Sequence, residues 1–195
     1  MAQSLFAKIP KERIGVLIGT GGKVKEYIQE KLPITLDINS ETGDVTITLR
    51  EGVEDPSLLF KAKDLVLAIG RGFSPERAFR LLDSEDAALD IIDLREFLGK
   101  SESELRRVKG RIIGKDGKTR RIIEELSGAM ISIYGHTVAI IGDFEQINIA
   151  REAILKIING SEHSTVYKFL QKKRQELKMR RLGLWEGSSL TLRSE

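Results

Sequence analysis

Residues 15–28 and 110–123 align at an offset of 95 positions, GVLIGTGGKVKEYI over GRIIGKDGKTRRII, with six of fourteen residues identical. The shared residues are Gly15/Gly110, Ile18/Ile113, Gly19/Gly114, Gly22/Gly117, Lys23/Lys118 and Ile28/Ile123. A repeat of this period restricts the fold to two copies of one small supersecondary unit. A chain of 195 residues has room for two such domains.

The flanks follow one order in both halves. In the first, residues 5–9 alternate as a strand, Pro10 opens a helix that stops at the glycine loop, and a second helix runs from Lys23 until Pro33 forbids its continuation. Residues 34–38 and 45–49 alternate as strands, and Pro56 starts a helix with a stripe of Leu58, Leu59, Ala62, Leu65, Val66 and Ile69. In the second, residues 88–94 read as a strand, and Ser101-Glu-Ser-Glu104 reads as a capping box opening a helix. Gly128 ends the helix after the loop. Gly135-His136 then turns a hairpin of type II′, and Asp143 caps a helix to residue 158. The expected fold is therefore α+β, with βααββα twice. The first unit spans residues 1–70, an acidic connector with one short helix (76–82) spans 71–87, the second unit spans 88–160, and a basic helix and tail span 161–195.

The loop suggests the chemistry. Two helices joined by G-x-x-G expose backbone N–H groups at the start of the second helix, where the helix dipole favours anions. Glycine lets a ligand backbone approach closely. An adjoining strand makes an apolar groove that suits about four splayed nucleotides. One G-x-x-G is weak evidence; two, each within I-G-x-x-G-K and each between helices, are strong.

Net charge is only +3, but it is segregated. Residues 105–125 hold eight cations against three acids, and residues 168–181 hold seven against one. Residues 82–104 hold eight acids against two cations. Clustered cations of this kind favour a polyanion. The candidate RNA-binding residues of the second unit are Gly114, Lys115, Asp116, Gly117, Lys118, Arg107, Arg111, Arg120 and Arg121, with Ile113 and Ile131 as groove walls. Those of the first are Gly19, Thr20, Gly21, Gly22, Lys23 and Lys25. Its surroundings carry less excess charge, so the second unit is expected to be the main reader. On the terminal helix, Lys172, Lys173 and Arg174 face RNA if Val166, Phe169, Leu170 and Leu177 dock on the domain. The alternative is a solvated helix with Trp185 in a disordered remainder.

Other chemistries lack their residues. Cysteine is absent, which excludes disulfides and thiolate ligands. His136 and His163 have no partners in metal-binding spacing. A phosphate-binding P-loop needs glycine where Ile112 and Leu17 stand, and the dinucleotide fingerprint needs glycine where Val24 stands. No catalytic constellation, cofactor or metal is expected. Apolar runs fall short of the ~20 residues of a membrane span, and the first residues lack a secretory signal, so a cytoplasmic protein is expected.

The repeated unit resembles the type I KH domain from residue 5 to residue 170. Such domains commonly carry an apolar residue three places after the last loop glycine, where Lys25 and Arg120 stand. That departure puts base-by-base transfer of KH contacts in doubt. GKDGKTRRIIEELSGAMISIYGHTVAIIGDFEQINIAREAI and HSTVYKFLQKKRQELKMRRLGLW look like the archaeal relatives of the eukaryotic "partner of Nob" ribosome-assembly factors. That resemblance implies a non-enzymatic protein binding the 3′ region of small-subunit rRNA in the pre-ribosomal small subunit, beside a PIN-domain endonuclease. The residues themselves support single-stranded RNA binding, and leave open an accessory subunit of a degradation or translation complex, or a protein scaffold.

Overall fold

The computed structural model describes residues 3–191; residues 1, 2 and 192–195, the extremes of the first unit and of the tail, lie outside the described residues. The first half runs β1 (Ser4–Lys8), α1 (Lys11–Ile18), a 3-10 turn (Thr20–Gly22), α2 (Lys23–Lys31), β2 (Ile34–Ile38), β3 (Asp44–Leu49) and α3 (Ser57–Gly70). After α4 (Pro75–Ala78) and α5 (Arg80–Asp83), the order returns as β4 (Ala88–Asp93), α6 (Arg95–Leu98) and α7 (Glu102–Ile113). A 3-10 turn (Lys115–Gly117), α8 (Lys118–Ser127), β5 (Met130–Tyr134), β6 (Thr137–Gly142), α9 (Phe144–Ile158) and α10 (His163–Thr191) follow. Each half is βααββα, as expected for a type I KH unit. The two units keep separate antiparallel sheets, β1-β3-β2 and β4-β6-β5.

Local signals act where they were read. Leu32, before Pro33, is extended and ends α2. Gly128 takes the left-handed conformation at the end of α8. Asp143 and Gln146 form a complete capping box on α9. Gly135 has φ +57°, and His136 is not among the residues of positive φ, as a type II′ turn requires.

Three expectations need correction. Ser101 makes no cap hydrogen bond, because its hydroxyl meets Ser103 Oγ at 3.1 Å while Glu104 is drawn to Arg107 at 2.7 Å. The connector holds two short helices rather than one. The additional helix α6 starts where Asp93 Oδ1 accepts from Arg95 N at 2.9 Å and ends at Gly99, φ +66°.

The two sheets have different surroundings. Along β3, Val45, Ile47 and Leu49 are buried and alternate with more accessible residues, so one face looks to solvent. Every residue of β6 is buried. Val138 and Ile140 pack with Ile112, Ile123, Ile149 and Ile154 of the second unit's helices. Ala139 and Ile141 belong instead to the cluster built on the first unit, with Leu65, Val66 and Ile69 of α3. Polar contacts border this junction. Ser132 Oγ donates to Arg71 O at 2.9 Å, and Arg80 Nη2 donates to Gly128 O at 3.0 Å. Tyr134 Oη donates to Glu12 Oε1 at 2.6 Å, which lowers the Glu12 carboxyl from its ordinary range and raises the Tyr134 phenol. Arg13 donates to Ile69 O and Phe73 O at 2.8 and 2.7 Å and lies over the Tyr134 ring.

Because Ile141 is fully buried on the face turned to the other unit, Ile141→Ala is expected to cost about 2–5 kcal/mol. Urea unfolding followed at both sheets should shift as one transition; a loss confined to one unit would contradict a shared core.

Candidate nucleic-acid interface

The two glycine loops differ in sequence but share one backbone. Gly19 has φ/ψ of 74°/168° and Gly114 has 72°/174°. Gly21 (62°/23°) corresponds to Asp116 (53°/29°), and Gly22 (81°/3°) to Gly117 (75°/14°). Asp116 is the only non-glycine residue at positive φ among the described residues. Aspartate tolerates this region better than most residues. The helices after the loops, α2 and α8, start without a side-chain cap. The first N–H of each, on Lys23 and Lys118, donates back into the 3-10 turn, to Thr20 O and Lys115 O, so no side chain covers the loop-facing start of either helix.

Close packing holds each loop against its following helix. A Cβ on Gly19 would lie 2.5 Å from Val24 Cγ2, and one on Gly114 would lie 2.3 Å from Thr119 Oγ1. At Gly21 a Cβ would meet nothing within 4 Å.

The expected site residues separate into two groups. Lys115, Asp116, Lys118, Arg121 and Ile113 are exposed at the second loop, and Arg121 Nη2 braces it by donating to Asp116 O at 2.9 Å. Thr20, Gly21 and Lys23 are exposed at the first, with Gly19, Gly22 and Lys25 half-buried. Lys23, Lys25, Lys115 and Lys118 have no ion-pair partner among the described residues. Arg107 is exposed but paired with Glu104, and half-buried Arg120 lies 3.4 Å from Glu124.

Arg111 and Ile131 sit elsewhere than expected. The Arg111 guanidinium is turned inward, donating to Ile157 O at 2.9 Å and Ser161 O at 2.5 Å, so it ties α7 to the end of α9. Ile131 is fully buried and offers no wall to a ligand, because odd positions of β5 face the helices of its own unit. On α10, Val166 and Leu170 are fully buried and Phe169 and Leu177 pack against the same cluster, so the helix is docked. Lys172 is exposed, Lys173 pairs with Glu176 at 3.2 Å, and Arg174 lies 3.7 Å from Glu125.

Two further residues belong to the grooves. Gln29 Oε1 accepts from Leu36 N, and Glu124 Oε1 from Ile131 N, both at 2.8 Å. Each satisfies an N–H on the free edge of the strand beside the loop. The pairs stand at the same 95-residue offset, a signal available in the alignment had it been carried past Ile28. Glu124 also pairs with Arg77 of the connector, which brings a further guanidinium to this edge.

Among the described residues there is no cluster of potential metal ligands and no helix long and apolar enough to cross a membrane.

Residues 88–175 match the family model of the eukaryotic-type KH domain (type I), in the form of the second domain of PNO1. The chain is 47% identical over 182 residues to a KH domain-containing protein of Methanocaldococcus jannaschii, covering 93% of this chain and 79% of that one. It is 31% identical over 159 residues to the pre-rRNA-processing protein PNO1 of Phaeosphaeria nodorum, covering 82% of this chain and 61% of that protein's length. Among solved structures, a chain of the a/eIF2α–aDim2p–rRNA complex of Pyrococcus horikoshii OT3 is 51% identical with a TM-score of 0.84, over 90% of this chain and 96% of that one.

The loop geometry separates its glycines by role. Gly114→Ala is expected to disturb the second loop, since its Cβ would collide with Thr119. Gly21→Asp should cost no more than about 1 kcal/mol, given the open space there and Asp116 at the matching place. Thermal unfolding of both variants checks the contrast; equal losses would refute it.

Proposed function

Since the chain belongs to the PNO1/Dim2p family of KH-domain proteins, we propose that it binds single-stranded RNA through its glycine loops as a small-subunit ribosome assembly factor. Its target in this reading is the 3′ region of small-subunit rRNA within the pre-ribosomal small subunit. The observation that carries the reading is the pair of loops with one backbone conformation and uncapped helix starts behind them. That arrangement takes phosphates on backbone N–H groups. The rRNA in the complex of the half-identical P. horikoshii chain supports the choice of RNA. The second loop is the stronger reader, because exposed Lys115, Lys118 and Arg121 lie in it or at the start of the helix behind it. Lys172 of α10 extends the basic surface. The protein acts by binding, without catalysis, in the cytoplasm. A PIN-domain endonuclease is the expected protein partner, from the likeness to "partner of Nob" factors.

Binding should favour single strands over duplex, because the groove takes splayed bases and an A-form major groove admits no side chains. With four to six cations on phosphates, log K should fall against log salt with a slope of roughly −3 to −4. Equal affinity for duplex, or a flat salt response, would refute this mode.

Lys115→Asp sets a second negative charge beside Asp116 on the phosphate path. It should weaken RNA binding by at least about ten-fold, given the worth of charge-assisted contacts. Thr20→Asp with Gly21→Asp should weaken it less. Fluorescence titration with folding verified by circular dichroism measures both, and the opposite order would assign the main reading to the first unit.

A further inference from the structure

The second loop is gripped at both ends by α10, an element the first unit lacks. Beneath Gly19 the first loop rests on the apolar side chain of Val24. The corresponding residue beneath Gly114 is Thr119, which is 2% exposed and carries a hydroxyl. A buried hydroxyl without a partner is destabilising. Tyr167 of α10 supplies the partner, its Oη lying 2.9 Å from Thr119 Oγ1. One helical turn earlier, His163 Nε2 lies 2.8 Å from Arg111 O, in the last turn of α7 before the loop. Spacing of four residues puts both contacts on one face of α10. Arg111 in turn donates to Ser161 O just ahead of that helix, and Val166 and Leu170 anchor it in the core.

We propose that α10 is the positioning element of the second glycine loop, acting through Tyr167 on Thr119 and His163 on the Arg111 carbonyl. This rests on the RNA-binding reading above. The terminal helix is then part of the RNA site rather than a basic appendage to it. A partner that lifts α10 loosens the second loop and leaves the first unchanged. Tyr167 is a positioning residue and need not touch RNA.

Deleting α10 would expose Val166 and Leu170 contacts in the core, so the test uses point variants of the full chain. Amide hydrogen exchange of residues 115–118 is compared with residues 20–23, alongside affinity for a fluorescent single-stranded oligoribonucleotide of the 3′ rRNA sequence. Tyr167→Phe should speed exchange in the second loop alone and weaken RNA binding by roughly three- to ten-fold. Adding Thr119→Val, which copies Val24, removes the need for a partner. It should return both readouts to within about two-fold of wild type. Wild-type exchange in Tyr167→Phe, equal acceleration in both loops, or a double variant as loose as the single would each overturn the proposal. A wild-type protein that does not bind the oligonucleotide would overturn the RNA reading, while the exchange comparison still decides the role of α10.

Discussion

The double-sided burial of β6 governs the molecule. A strand with both faces covered needs apolar residues at odd and even positions alike. Thr137–Gly142 meets this with Val138 and Ile140 toward its own helices and Ala139 and Ile141 toward α3. The second unit therefore uses the first as its outer layer, while the first leaves one face of its own sheet open. This asymmetry directs the connector. Residues 71–83 run along the junction, where Arg71 O meets β5 and Arg77 and Arg80 reach α8 and its C-terminal cap. The surroundings of β5 and α8 thus include residues from outside their unit.

Around this frame the loops are set by backbone requirements. Three positions in each need positive φ, and five of the six are glycine. Asp116 is the exception and adds a carboxylate where the first loop has none. Similar economy marks the strand edges, where Gln29 and Glu124 satisfy an N–H that would otherwise be left over. Glu124 does more than Gln29, because its charge also attracts Arg77 and Arg120.

Several arginines of this chain are used inside the fold. Arginine carries several donors in a planar fork and serves well in capping carbonyls, whereas lysine is a strongly hydrated point charge. Arg13, Arg50, Arg80 and Arg111 each donate to backbone carbonyls, and Arg111 is lost to the interface for that reason. Lys23, Lys115 and Lys118 stay exposed at the loops. Segment charge therefore overstates how many cations remain for a polyanion.

Much of the fold was legible because its signals are local. Apolar spacing marked the strands and helices, proline and glycine marked their ends, and the stripe Val166, Phe169, Leu170 and Leu177 marked the docked face of α10. The repeat located both loops without any structure. Ile131 was misread because alternation says which residues share a face but not whether that face meets a groove or a core. The box at Ser101 was misread because Ser103 and Arg107 compete for its two members. By itself, then, the sequence determined the βααββα order, its duplication and the placement of the glycine loops, since these depend on residues a few positions apart. Only the tertiary structure decided that β6 joins the two cores, that Arg111 is spent on Ile157 and Ser161, and that Tyr167 supports Thr119. The contacts of Arg111 and Tyr167 join residues 46 to 50 positions apart, and which carbonyl or hydroxyl lies within reach is settled only when the helices pack.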